Sequence, residues 1–258
     1  MIPDSHAHLD LIEEDTGNVV ASALAAGVAP IITIGITIPS SLDAIRAAKT
    51  YDGVYAAIGV HPNDSAGVDG SVFDHLREMA SSSARVVAIG ETGLDYYRDR
   101  SPADAQKKAF REHARLARDL GKPLVVHDRE AHDDVLELLA SEIAGEVPVV
   151  MHCFSGNKEV LAECVKRGYC FSFAGPVTFK KNDAAREIAS LVPAESILCE
   201  TDSPFLSPEP FRGKSNLPER VRFVAEALAG ARGVPPEEME RTLASNTSRI
   251  FGIPVEVC

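Results

Sequence analysis

The sequence has no excess of positive charge. Its 258 residues include 38 acidic and 26 basic side chains, which gives a formal net charge of −12. A surface of that sign excludes the broad electrostatic attraction by which basic proteins hold nucleic acid. Any anionic substrate must be attracted by a local positive centre, and bound divalent cations are one such centre.

Cysteines at the spacing of a Cys-x-x-Cys motif are also missing. The chain has five cysteines, an odd number, and Cys153, Cys170 and Cys199 lie in or beside apolar runs. A free cysteine in such a position behaves as a small buried hydrophobe. This pattern, with Cys164 and Cys258 as the other two, favours a reducing compartment, and we expect a cytoplasmic protein.

The sequence lacks features that direct a chain to a membrane. No basic segment followed by an apolar core opens it, so no signal peptide is expected. Residues 19–38 are nearly free of charge and long enough to cross a bilayer, but Gly27 and Pro30 divide them. A helix that ends near Gly27, followed by a buried strand, explains this stretch better than a membrane span.

Three common active-site motifs are absent. The chain has neither a G-x-G-x-x-G fingerprint nor a G-x-x-x-x-G-K-[ST] phosphate loop, which argues against a nucleotide-binding α/β protein. It also lacks the G-x-S-x-G elbow, so a serine triad built on Ser155 and His127 is rejected. No Pro/Gly/Ser-rich linker divides residues 1–258, and we expect a single domain.

What the chain does have is a regular alternation of short apolar segments and amphipathic ones. The predicted strands are the opening segment and residues 31–34, 54–58, 86–89, 124–126, 147–151, 169–173 and 197–199. The predicted helices between and after them are 12–26, 40–50, 71–82, 102–120, 130–141, 157–167, 183–191, a stripe from Val221 to Leu228 and a last helix from Met239 to Ile250. Ser101 is predicted to cap the helix that begins at Pro102.

Eight such repeats predict an α/β protein, a parallel eight-stranded (β/α)₈ TIM barrel with an additional C-terminal helix. A doubly wound open sheet is the alternative. No obligate protein partner is indicated by the sequence.

Metal-ligating residue types follow the predicted strands. They are His6, His8, Glu91, His127, His152 and Asp202. His6 and His8 are two apart, so their imidazoles point to the same side of a strand. In a barrel all the strand ends lie around one mouth, where catalytic residues of this fold are found. A single histidine at a strand end is ordinary, as we expect for the helical His75, His113 and His132, but residues on five strands together indicate a metal centre.

Six ligands exceed the three that a catalytic zinc ion takes and suit two divalent metal ions about 3.5–4 Å apart. His6, His8 and Asp202 would hold one, His127 and His152 the other, and Glu91 would bridge them. Such a pair activates a water as the nucleophile, so Glu91 and Asp202 are the candidate catalytic residues. Mixed imidazole and carboxylate ligation suits Zn, Mn or Fe and does not exclude Mg.

Five motifs, in order, resemble those of TatD-family metal-dependent deoxyribonucleases. They are Asp4-Ser-His-Ala-His-Leu-Asp10, Gly59-Val-His-Pro62, Gly90-Glu-Thr-Gly-Leu-Asp-Tyr96, His152-Cys-Phe-Ser-Gly156 and Glu200-Thr-Asp-Ser-Pro204. The resemblance implies a barrel that cleaves phosphodiester bonds in DNA, often as a 3′→5′ exonuclease. It implies the same six metal residues, and it allows action on D-aminoacyl-tRNA. Asn63, Phe205 and Leu217 depart from the family pattern and bear on substrate contacts.

Substrate contacts are predicted around the mouth. His61 is expected to hydrogen-bond a phosphate oxygen, and Arg129 to grip a phosphate. Tyr96 or Tyr97 could stack on an unpaired base, with Arg98 on its phosphate, and Lys180 and Lys181 are weaker candidates. The sequence thus predicts a nuclease that acts on single-stranded DNA or 3′ ends. A lactone or amide hydrolase on the same scaffold is the alternative, since the metals would polarise a carbonyl equally well.

Overall fold

A computed structural model describes residues 1–98, 100–143 and 145–255 of the chain. Cys258 lies outside the described residues. The strands are β1 Ile2–Ala7, β2 Val28–Gly35, β3 Val54–Ile58, β4 Val86–Asp95, β5 Leu124–Arg129, β6 Val149–Met151, β7 Cys170–Phe173 and β8 Ile197–Cys199. The α-helices are α1 Thr16–Ala25, α2 Ile38–Thr50, α3 Gly70–Ser81, α4 Ala103–Leu120, α5 His132–Glu142, α6 Lys158–Lys166, α7 Asp183–Leu191, α8 Val221–Arg232 and α9 Pro236–Phe251.

The strands form one parallel sheet in the order β1 to β8, which confirms the predicted barrel. The ring closes less completely between β1 and β8, where the described residues form one isolated bridge, from Ala7 to Ser203 in the segment after β8. Side chains strengthen this seam: the Asp4 carboxylate accepts hydrogen bonds from the Thr201 backbone N–H and hydroxyl at 2.9 and 2.6 Å. The Ser5 hydroxyl donates to the Cys199 carbonyl.

Apolar side chains pack in two places. A large cluster lies between the strands and the surrounding helices. A smaller one joins alternate residues of β2 to β8, such as Ile32 and Val125, to Ile250, Phe251 and Ile253 at the end of the chain. The predicted additional C-terminal helix is therefore confirmed as α9, and its end completes the barrel core.

Two local predictions were wrong. The helix predicted for residues 12–26 begins only at Thr16, because the Asp15 side chain accepts a hydrogen bond from the Asn18 backbone N–H and caps α1 there. Ser101 does not cap α4, which has Pro102 in the N-cap position. The buried Ser101 hydroxyl donates to the Asn63 carbonyl at 2.9 Å, and so it fixes the loop after β3.

His113 on α4 is an ordinary core histidine, as predicted. It is fully buried, and its Nε2 accepts a hydrogen bond from the Val60 backbone N–H at 2.9 Å. Its Nδ1 lies 2.7 Å from the Ala109 carbonyl, so the neutral ring with a proton on Nδ1 satisfies both contacts. Burial lowers the pKa of His113 to about 4.

Neutral His113 should make stability depend on pH. The unfolded chain takes up a proton near pH 6.5 and the folded chain near pH 4, so stability falls as pH drops between these values. From pH 7.5 to pH 5, denaturant titrations should show wild type losing about 2 kcal/mol more free energy of unfolding than His113→Gln. His75→Gln, at an exposed position of α3, is the control. Equal pH dependence of wild type and His113→Gln would contradict this role.

Candidate metal centre

The structure brings the six predicted metal residues together at the carboxyl ends of the strands. His6 lies in β1 and His8 just after it, Glu91 lies in β4, His127 in β5, His152 follows β6, and Asp202 follows β8. Glu91 and His127 lie within their strands, not beyond the ends as predicted, because β4 and β5 run on to Asp95 and Arg129.

Close packing of β4 on β5 needs glycine at one position. Gly93 is paired with His127 in the sheet and has a φ of 138°. A Cβ atom there would lie 2.0 Å from the His127 carbonyl oxygen. Glycine therefore allows β4 to continue against His127 and keeps Glu91 within reach of it.

Glu91 lies at the middle of the cluster, and its two carboxylate oxygens face different histidines. Oε2 lies 3.4 Å from His6 Nε2 and 3.8 Å from His8 Nε2. Oε1 lies 2.7 Å from His127 Nδ1 and 3.7 Å from His152 Nε2. One carboxylate thus contacts both halves of the predicted site.

Asp202 closes the half that contains β1. Its Oδ1 lies 3.7 Å from His6 Nε2, 3.4 Å from His8 Nε2 and 4.0 Å from His152 Nε2. Its backbone N–H donates to the His6 carbonyl, and its φ of 55° turns the chain sharply after β8. The first and last strands therefore meet at this half of the site.

Acceptors behind the histidines leave their other nitrogens facing the cluster. His8 Nδ1 lies 3.2 Å from the Ile34 carbonyl, which fixes a proton on Nδ1 and frees Nε2. His152 Nδ1 lies 2.8 Å from Glu200 Oε1. An imidazole that is held from behind in this way is a typical metal ligand.

His127 is similarly placed between two carboxylates. Its Nδ1 meets Glu91, and its Nε2 lies 3.4 Å from Asp95 Oδ2 without the alignment of a hydrogen bond. Asp95 also accepts from the Asn63 amide at 3.0 Å. These contacts place Asp95 behind His127, where its carboxylate can orient that imidazole.

The carboxylates and histidines hold each other in charged forms. Burial works against the charged carboxylate, but the charge on His152 and the hydrogen bonds from His127 and His6 hold the pKa of Glu91 well below its ordinary value. Burial likewise opposes charge on the imidazoles, yet the carboxylates raise the pKa of His127 to about 9 and that of His152 to about 10. These imidazoles keep protons in places that a divalent cation would take.

Three groups of side chains have ligand atoms within 4.8 Å of one another: His6, His152 and Asp202; His6, His8 and Glu91; and His61, Glu91 and His127. The donors are imidazole nitrogens and carboxylate oxygens, and His6 Nδ1, His127 Nε2 and His152 Nδ1 are buried without a hydrogen-bond partner among the described residues. A cluster of this composition fits divalent metal ions.

His61 fits the cluster as a hydrogen-bond donor and not as a ligand. Its Nδ1 accepts a hydrogen bond from the Asn63 backbone N–H at 3.0 Å, so the neutral ring must carry its proton on Nε2. Burial lowers the pKa of His61 to about 4, which keeps the ring neutral. Nε2–H points into the site, 3.6 Å from Glu91 Oε1, as its predicted role toward a phosphate oxygen requires.

The other predicted substrate residues differ in how well they are positioned to contact a substrate. The Arg129 guanidinium lies over the ring of Tyr97, 4.2 Å from its centroid, and that ring is 60% exposed. Tyr96 is turned away, because its hydroxyl hydrogen-bonds Asp134 on α5 at 2.5 Å. Arg98 and Lys180 are exposed. Tyr97 is therefore the better placed ring, while a stacking role for Tyr96 stays a prediction.

Sequence reasoning gave no role to Glu200 itself, although it stands in a quoted motif. Besides its 2.8 Å contact with His152 Nδ1, which lacks the alignment of a hydrogen bond, its carboxylate accepts hydrogen bonds from the Ser172 hydroxyl at 2.5 Å and the Cys153 backbone N–H at 2.9 Å. Three contacts fix this buried side chain. The only signal in the sequence is an acidic residue directly after the apolar β8.

Comparisons with known proteins find relatives over nearly the whole chain. A family model described as TatD related DNase matches residues 3–252. The uncharacterized metal-dependent hydrolase YabD of Bacillus subtilis is 41% identical over 98% of this chain and 100% of its own length. A 3′-5′ ssDNA/RNA exonuclease TatD of Citrobacter rodentium is 34% identical over 94% of each chain.

A solved structure is similar over nearly the whole chain. The crystal structure of YJJV, a TatD homolog from Escherichia coli k12, superposes with a TM-score of 0.91 at 28% identity and covers 98% of both chains. In the part of the chain that the structure describes, no helix is long and apolar enough to cross a membrane.

Proposed function

This chain belongs to the TatD family of metal-dependent hydrolases, and we propose that it cleaves phosphodiester bonds at 3′ ends of single-stranded DNA or RNA. The relative from Citrobacter rodentium is named for that activity on both nucleic acids. The deoxyribonuclease function predicted from the motifs agrees with the family. A lactone or amide hydrolase is not favoured.

The split contacts of Glu91 carry the proposal that two divalent cations are held. His6, His8 and Asp202 would hold one beside Glu91 Oε2, and His127 and His152 would hold the other beside Oε1. The mixed imidazole and carboxylate donors suit Mg, Mn or Zn as these ions. Cations bound here would supply an activated water and offset the negative charge that develops on the phosphate.

The chain's own residues would position the substrate and the proton. His61 would donate from Nε2 to a non-bridging phosphate oxygen. Burial opposes charge on Asp202, but the hydrogen bond to His8 lowers its pKa, so this carboxylate is ionised and can accept the proton of the attacking water. Glu91 is ionised as well, and it would fix the position of His6 and His8 relative to His127 and His152.

An arginine at the mouth of the barrel would bind the phosphate next to the one that is cleaved. Arg129 lies two residues beyond His127 on the same side of β5, which places it about 6.6 Å further along the strand. Stacking on Tyr97 fixes its guanidinium, and this lowers the entropy lost on gripping a phosphate. Arg98 and Lys180 are the outer candidates. With a net charge of −12, attraction of the strand would depend on these local cations.

A cytoplasmic location is part of this proposal. It rests on cysteine usage, because Cys153, Cys164, Cys170 and Cys199 are free thiols.

The proposal is tested by metal analysis combined with activity on end-labelled nucleic acid. Purified protein should contain divalent metal, and it should shorten 5′-labelled single-stranded DNA and RNA from the 3′ end. Chelation should abolish cleavage, and Mg, Mn or Zn added back should restore it.

Two outcomes would contradict the proposal. Hydrolysis of lactones, amides or D-aminoacyl-tRNA without any cleavage of single-stranded DNA or RNA would identify another substrate class. Cleavage that survives complete removal of metal would exclude the metal-dependent chemistry.

A further inference from the structure

The loop after β8 presents Phe205 beside the metal centre on a fixed backbone. The Phe205 backbone N–H donates to the Asp202 carbonyl at 2.8 Å, and Asn216 donates to the Pro204 carbonyl at 2.9 Å. On the other side, Leu206 lies against Gly175, where a Cβ would be 1.8 Å from the Leu206 carbonyl oxygen. The position of the ring is therefore set by the same turn that places Asp202.

The ring itself is open to solvent. Phe205 is 51% exposed, and its centroid lies 6.0 Å from the His8 ring at an angle of 69° between the planes. This edge-to-face contact fixes the ring next to the metal residues while much of its surface stays in water. Leaving a phenylalanine side chain partly hydrated forgoes stabilisation that burial would give.

Exposed apolar side chains are concentrated on this side of the barrel. Among the described residues, four of the seven large ones follow strand ends: Leu11, Tyr97, Phe205 and Leu206. The other three lie on the outer helices: Leu24, Leu42 and Leu191. Scattered exposed leucines need no explanation, but a rim of apolar groups around a polar metal centre indicates a ligand with an apolar face.

We propose that Phe205 stacks on a nucleobase of the substrate and thereby positions the scissile phosphate at the metal centre. This rests on the proposed nuclease function and adds a specificity residue to it. A nucleobase is the planar, apolar face that a single-stranded nucleic acid offers, and stacking on aromatic rings is how such strands are held without sequence readout. Phenylalanine has no polar side-chain group that could read the edge of a base. The contact therefore requires a base at this position but does not distinguish one base from another.

Phe205 and Arg129 also lie at separate points of the mouth, on strands three places apart in the ring. Phe205 follows β8, Arg129 ends β5, and the metal residues lie between them. A strand that stacks on Phe205 and places its phosphate at Glu91 can therefore continue toward Arg129. The unpaired base must be free to reach Phe205, which makes single strands and frayed ends the preferred substrates.

Base removal tests this assignment directly. A series of 5′-labelled single-stranded oligonucleotides would each lack one base, at the terminal, second or third position from the 3′ end. For wild type, removal of the base at one of these positions should lower kcat/KM on the order of tenfold relative to the oligonucleotide with all its bases. In Phe205→Ala and Phe205→Leu, removal of that base should leave kcat/KM nearly unchanged, because the ring that the base contacts is gone.

Two variants serve as controls. Phe205→Tyr keeps the ring and should keep the penalty, and Leu191→Ala, at an exposed position of the outer helix α7, should keep it too. Thermal unfolding would verify that each variant is folded. A penalty of equal size in wild type and Phe205→Ala, or cleavage by wild type with no penalty at any position, would overturn the stacking role alone. If wild type cleaved none of the oligonucleotides, the proposed function would be overturned, and the role of Phe205 with it.

Discussion

Glu91→Gln should lower kcat/KM on the order of 10³-fold and strip metal from the protein. The side chain keeps its size but loses the charge that two halves of the site share. Its Oε1 and Oε2 contact different histidines at 2.7–3.8 Å, so a single substitution weakens both proposed cation sites. Metal content per chain and activity on labelled single-stranded DNA would be measured together.

A second glutamate separates this effect from a general loss of charge. Glu187→Gln removes an exposed carboxylate of α7 that pairs with Lys158, and it should leave metal content and activity unchanged. The bridging role would be refuted by a Glu91→Gln protein that retains both metal ions. A protein that loses one ion and keeps the other would assign Glu91 to a single site.

Glu200→Gln should weaken metal binding 10–100-fold while leaving the site able to turn over. Glu200 contacts His152 Nδ1 at 2.8 Å and is itself held by Ser172 and Cys153. Without its charge, the imidazole is a weaker donor and is less well oriented. Titration of metal-free protein by calorimetry, with activity followed against metal concentration, would show a shifted midpoint.

The expected signature is recovery at high metal concentration. A positioning residue changes the metal concentration needed for half-maximal activity, whereas a group that acts on the substrate changes kcat itself. Glu195→Gln, which removes an exposed carboxylate just before β8, is the control. If Glu200→Gln lost activity even at saturating metal, Glu200 would act in the chemistry and not through His152.

The barrel was predictable because its signal repeats. Each strand is a short apolar run between polar helices, and the two-residue spacing of His6 and His8 places both on one side of a strand. Once the barrel closes, the strand ends converge, and the six residues come together. Their role as ligands stays a prediction, but their meeting in one cluster follows from the fold.

What the sequence could not supply was orientation. The proton on His61 is decided by the Asn63 backbone N–H, and this contact depends on the turn after β3. The choice between Tyr96 and Tyr97 depends on which ring a tight turn directs outward, and Asp134 holds Tyr96. Ser101 was assigned to a helix end by its neighbours along the chain, whereas its partner Asn63 is distant in sequence.

The seam between β1 and β8 gives the metal centre a mechanical role. One bridge and a few side-chain contacts join these strands, while His6 and His8 stand on one side and Asp202 on the other. A cation bound by these three residues would link the two strands at the junction of the barrel that has the least strand pairing. Metal binding would then add to the hydrogen bonds that already close the ring at this seam, and removal of metal would weaken the contact between β1 and the segment after β8.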